Sequence, residues 1–68
     1  MKVKDITRQV TDNGLYFEII EQKSGASFGF YKKSELFYQD RLMKATIKNI
    51  NFQYIKNKRL IVLKVGGL

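Results

Sequence analysis

Ile50, Phe52 and Tyr54 alternate with Asn51 and Gln53, and shortly after them, past Lys56-Asn57-Lys58-Arg59, comes the unbroken apolar run Leu60-Ile61-Val62-Leu63. A period of two on either side of a short polar stretch is the pattern of a β-hairpin. With Asn57 and Lys58 at the two central turn positions, Tyr54 faces Ile61, Phe52 faces Leu63 and Ile50 faces Val65. One face of the hairpin then carries these apolar side chains. The other carries Asn51, Gln53 and Lys64, with Ile55, Leu60 and Val62 nearer the turn. A slip of one residue would mix the two faces, so the pattern constrains the register strongly.

The same region holds the charge. From Arg41 onward there are seven basic residues (Arg41, Lys44, Lys48, Lys56, Lys58, Arg59, Lys64) and no acidic one, and the chain's net charge is +7. The first forty residues balance. Three cations within Lys56 to Arg59 repel one another, and a polyanion would relieve that repulsion. The expectation is nucleic-acid binding by an electrostatic mechanism with little sequence preference. The plainer alternative is a solvated charged surface that keeps a small protein soluble.

Sixty-eight residues allow one domain, 1–68, with one small core near the lower limit for folding without a disulfide or metal. Oligomerisation would be one way to enlarge it. The chain has no Cys and no His, which removes disulfides, thiolate chemistry, ordinary zinc sites and the commonest general base. Six scattered carboxylates and no phosphate loop, dinucleotide fingerprint or calcium loop leave no catalytic constellation, so neither an enzyme nor a cofactor is expected. No apolar run approaches a membrane span and no secretory signal is visible, which fits a soluble cytoplasmic protein with no membrane partner.

Residues 2–14 read in two ways. Val3, Ile6 and Val10 have helical spacing, with Asn13-Gly14 as a left-handed cap. The preferred reading is a strand, because Val, Ile and Thr are frequent here and Asn13-Gly14 is a strong hairpin signal leading into Leu15 to Ile20. That hairpin would set Val10 opposite Phe17 and Ile6 opposite Glu21. Lys23 to Ala26 forms the next turn and Ser27 to Tyr31 the next strand. Pairing across Ser24-Gly25 sets Phe30 against Ile19, turning Phe28 and Phe30 inward and Tyr16 and Tyr31 outward.

Ser34 to Asp40 reads as one to two helical turns with Ser34 as N-cap, and Leu36 and Phe37 plug the core. The chain returns to strand from Leu42. Because Ala45 and Ile47 are out of phase with Ile50, Phe52 and Tyr54, a bulge is expected near Lys48-Asn49. Val65 to Leu68 reads as a frayed end. The fold expected is mainly β: a small five-stranded OB-like or SH3-like barrel with one short helix between the third and fourth strands. The alternative is α+β, with an N-terminal helix and two β-hairpins.

In the expected site, Lys56, Lys58 and Arg59 contact phosphates and Lys32 and Lys33 extend the track, with Lys44, Lys48 and Lys64 adding charge. Tyr16 and Tyr31 offer stacking surfaces, as single-stranded DNA or RNA requires. The five phenylalanines, Phe17, Phe28, Phe30, Phe37 and Phe52, are read as core.

Two resemblances bear on this reading. Ser27-Phe28-Gly29-Phe30-Tyr31 resembles the Gly-Phe-Gly-Phe core of the RNA-binding strand of cold-shock domains, whose aromatics are exposed, although the registers above turn these phenylalanines inward. Met1-Lys2-Val3-Lys4-Asp5-Ile6, Lys33-Ser34-Glu35-Leu36 and Ile47-Lys48-Asn49-Ile50 resemble segments of small proteins of Gram-positive phages and mobile elements. That resemblance implies a helical opening segment and carries no function. The second functional reading is accordingly an interaction module, an inhibitor or adaptor docking on a host or self protein through an acidic partner surface or an exposed strand edge.

Overall fold

The apolar run from Leu60 to Leu63 lies at the centre of a four-stranded open sheet in a computed structural model that describes residues 1–12 and 14–67. The elements in order are α1 (Val3–Gln9), β1 (Tyr16–Glu21), β2 (Ser27–Lys32), α2 (Lys33–Leu36), α3 (Asp40–Met43), β3 (Thr46–Ile55) and β4 (Lys58–Gly66). The strand order is β2-β1-β4-β3, two antiparallel hairpins joined through a parallel β1–β4 pair. The chain is mainly β, as expected, but the sheet is open, not a closed five-stranded barrel. Ile61 and Leu63 face the core, while Leu60 and Val62 lie on the opposite face between the side chains of the flanking strands, Tyr16 and Glu18 on one side and Gln53 and Asn51 on the other, so β4 reads as continuous Leu-Ile-Val-Leu. All four of these residues are buried.

The strand preferred for the opening residues is a helix, and the alternative reading, an N-terminal helix with two β-hairpins, matches the elements observed. Val3, Ile6, Thr7 and Val10 form a stripe at helical spacing, with Val3 and Thr7 fully buried and Ile6 and Val10 packed on the core. The Asp5 carboxylate accepts the Lys2 backbone N–H at 2.8 Å and steadies the first turn. The Thr7 hydroxyl donates to the Val3 carbonyl, which satisfies the one polar side chain in the core among the described residues. Tertiary bonds supply what a seven-residue helix lacks: Val3 N–H donates to the Ala45 carbonyl at 3.0 Å and Ile47 N–H to the Met1 carbonyl at 2.8 Å. Asn13, half of the proposed hairpin turn, lies outside the described residues. Gly14 N–H bonds the Asp12 carboxylate at 2.8 Å in a short connection from helix to strand.

The hairpin registers differ from expectation in two ways. Lys56 (φ 49°) and Asn57 (φ 65°) take the two turn positions, so the turn sits one residue earlier and Tyr54 faces Arg59, Phe52 faces Ile61 and Ile50 faces Leu63. The pairing therefore shifts by two residues and every side chain keeps its assigned face. In β1–β2 the shift is one residue: Ile19 faces Gly29 and Glu18 faces Phe30. Phe30 thereby turns outward and Tyr31 inward. Gly29, at φ +112° beside the register irregularity, absorbs the backbone distortion that an L-residue would resist.

One face of the sheet is covered. Phe17 and Ile19 of β1 and Ile61, Leu63 and Val65 of β4 pack with Val3, Leu15, Leu36, Leu42 and Ala45, and burial of each large side chain contributes roughly 1.5–3 kcal/mol. The expected β3 bulge is present between Ile47 and Asn49. The connecting helices differ in detail from the sequence reading. Lys32, not Ser34, is the N-cap of α2, its N–H bonded to Glu35 at 2.8 Å, and Leu42 is helical. Phe37 is exposed, and Val65 and Gly66 belong to β4 while Leu68 lies outside the described residues. Of the five phenylalanines only Phe17 is buried.

Candidate functional site

The other face of the sheet is uncovered among the described residues, and its side chains form a readable grid. Across the four strands, β2 to β3, the rows run Lys32-Tyr16-Leu60-Gln53, then Phe30-Glu18-Val62-Asn51, then Ser27-Ile20-Lys64-Asn49. Ile55 and Lys58 continue it toward the hairpin turn. Period-two alternation places these residues together, since each is one step out of phase with the core residue beside it.

At the turn end of this face lies a concavity of about 360 Å³ bordered by Tyr16, Phe30, Ile55, Lys56, Lys58, Arg59 and Leu60. Its floor is apolar and aromatic, and its rim is cationic. The Lys32 and Lys58 ammonium groups sit 5.7 and 5.4 Å from the centroid of the Tyr16 ring, one from each side strand. Phe30 is 61% exposed on the neighbouring strand. A planar, electron-rich group could lie on the tyrosine and phenylalanine while an attached anion meets the ammoniums.

The expected site residues divide sharply. Lys32, Lys58 and Tyr16 are brought together, Lys56 stands at the adjoining turn, and Lys64 lies two rows away on the same face. Tyr31 is on the covered face, packed against the core, and its hydroxyl donates to the Phe28 carbonyl at 2.9 Å, so it offers no stacking surface. Lys33 donates to the Val10 carbonyl and sits 5.9 Å from the Phe37 ring, tying α2 to the end of α1. Arg59, although it borders the concavity, shares the face of Tyr54 and pairs with Asp12, the one salt bridge among the described residues. Lys44 follows α3 and its carbonyl accepts the Lys2 ammonium at 3.1 Å. Lys48, at the β3 bulge, borders a separate recess with Glu21, Gln22, Lys23, Val65, Gly66 and Gly67.

Phe30, Ile55 and Leu60 are the site residues that pattern reading missed. The register slip around Gly29 hid Phe30; the outward phenylalanines of the cold-shock-like stretch were the available signal. Among the described residues no group of three His, Cys, Asp or Glu side chains could hold a metal, and no helix is long and apolar enough to cross a membrane. No family model, curated protein or solved structure matches the chain.

Proposed function

We propose that the protein binds single-stranded DNA or RNA on the uncovered face of its sheet, with little sequence preference. The observation that carries this reading is Tyr16, flanked on both sides by lysine ammoniums and bordered by exposed Phe30 on an otherwise open sheet. Unpaired bases stack on Tyr16 and Phe30, and Lys32, Lys56, Lys58 and Lys64 follow the phosphates. Seating a base asks the two ammoniums to leave the tyrosine ring, which costs about 0.5–1 kcal/mol each at an exposed site. Stacking returns roughly 1–3 kcal/mol per base and the phosphates replace the ring as cation partners, so the exchange favours the strand. A duplex keeps its bases stacked internally and could offer only its phosphates.

The test is fluorescence anisotropy with a labelled oligothymidylate and the same length of duplex at two salt concentrations. Four neutralised phosphates give a slope of log K against log salt of about −3 for a single strand, or about 50-fold weaker binding from about 50 to about 200 mM salt. Preference for the single strand with that slope supports the proposal. Equal affinity for duplex, a flat salt response, or no binding at low salt would overturn it.

A further inference from the structure

The outer edge of β3 serves neither the core nor the proposed nucleic-acid face. At its start the chain already extends the sheet there: Lys2 pairs antiparallel with Thr46, and Ile47 N–H donates to the Met1 carbonyl. From Asn49 to Ile55 no strand continues it among the described residues. The two-residue turn makes Ile55 and Lys58 a hydrogen-bonded pair, so Gln53 and Asn51 also bond to β4. The N–H and C=O groups of Ile50, Phe52 and Tyr54 therefore point to the open edge. Their side chains, on the helix side but beyond the helices, are 37%, 72% and 69% exposed. Natural sheets usually blunt such an edge with charge or proline, yet Asn49 to Ile55 has neither.

We infer that β3 pairs antiparallel with β3 of a second copy of this chain about a two-fold axis at Phe52, joining two sheets into one of eight strands. Charge confines this contact to one strip. Two chains of net charge +7 repel over most of their surfaces, and Asn49 to Ile55 is a neutral strip on which they can meet. An acidic partner would be drawn to the lysines instead. Register selects the axis: Phe52 then lies opposite Phe52 of the second copy and Ile50 opposite Tyr54, so each exposed apolar side chain gains an apolar neighbour. A shift of two residues either way would set Tyr54 against Lys48 or Ile50 against Lys56. In the chosen register Lys48 faces Lys56 at each end, so added salt tightens the dimer, opposite to its effect on oligonucleotide binding.

Sedimentation equilibrium on the full chain from micromolar to near-millimolar concentration should show the mass rising from 8.0 kDa to twice that value, more readily at high salt. Backbone amides of Ile50, Phe52 and Tyr54 should exchange more slowly as the dimer fills. Phe52→Lys places two ammoniums at the axis and should keep the chain monomeric with an unchanged circular-dichroism spectrum. Should that variant fail to fold, Phe52→Thr keeps strand propensity and should weaken the dimer at least tenfold. A monomer at the highest concentration in both salts, a dimer that salt weakens, one in which these amides stay unprotected, or one that a folded Phe52→Lys or Phe52→Thr leaves intact would overturn the inference.

Discussion

Phe52 and Ile61 lie opposite each other across the β3–β4 pair, and one is 72% exposed while the other is 3% exposed. They share a sheet face but not a neighbourhood, because Ile61 lies on a central strand beneath the helices and Phe52 on the edge strand beyond them. Ile61→Ala removes buried methyl groups and should destabilise the fold by about 2–5 kcal/mol. Phe52→Ala should change monomer stability by no more than about 0.5 kcal/mol. Urea unfolding of both variants at low protein concentration checks the contrast.

The tyrosines give a second contrast. Tyr16→Ala should weaken oligothymidylate binding roughly 5- to 150-fold, the loss of one stacked base, and Phe30→Ala should fall in the same range. Tyr31→Phe, which removes only a hydroxyl bonded to the Phe28 carbonyl, should leave affinity unchanged and cost at most about 1 kcal/mol of stability. Anisotropy titrations beside thermal melts separate the outcomes, and a Tyr31→Phe variant with Tyr16-like binding loss would contradict the assignment of faces.

Neighbouring cations at the hairpin should differ in the same way. Lys58→Gln removes a phosphate contact and should make the salt slope shallower by about 0.7. Arg59→Gln should leave the slope alone, since its guanidinium pairs with Asp12, and should cost under about 1 kcal/mol because that pair is exposed. Titrations of each variant across a salt series give both slopes.

The turn offers a substitution that moves stability and binding in opposite directions. Lys56 holds φ 49°, a left-handed conformation that costs an ordinary side chain roughly 1–2 kcal/mol and that Asn tolerates better. Lys56→Asn should therefore stabilise the fold by up to about 1 kcal/mol, or roughly 4–8 °C in melting temperature for a domain of this size. The same change deletes a rim cation and should weaken oligonucleotide binding. A melt and a titration on one sample decide it.

The amino-acid sequence by itself determined the β3–β4 hairpin, the bulge at Lys48 and the sorting of Ile61 and Leu63 from Asn51 and Gln53, because these follow from side-chain alternation, which is local. It also placed the excess of positive charge. Only the tertiary structure decided between the two readings of residues 3–9, since a stripe of Val3, Ile6, Thr7 and Val10 becomes helix through burial against the sheet and through bonds from Val3 to Ala45 and from Ile47 to Met1. It alone decided that β1 lies parallel to β4, which leaves the sheet open where local patterning suggested a barrel. The faces of Phe30 and Tyr31 turned on a one-residue irregularity at Gly29. Which cations remain available for a ligand depended on Asp12 reaching Arg59 and Val10 reaching Lys33, contacts between residues far apart in the chain that no periodicity encodes.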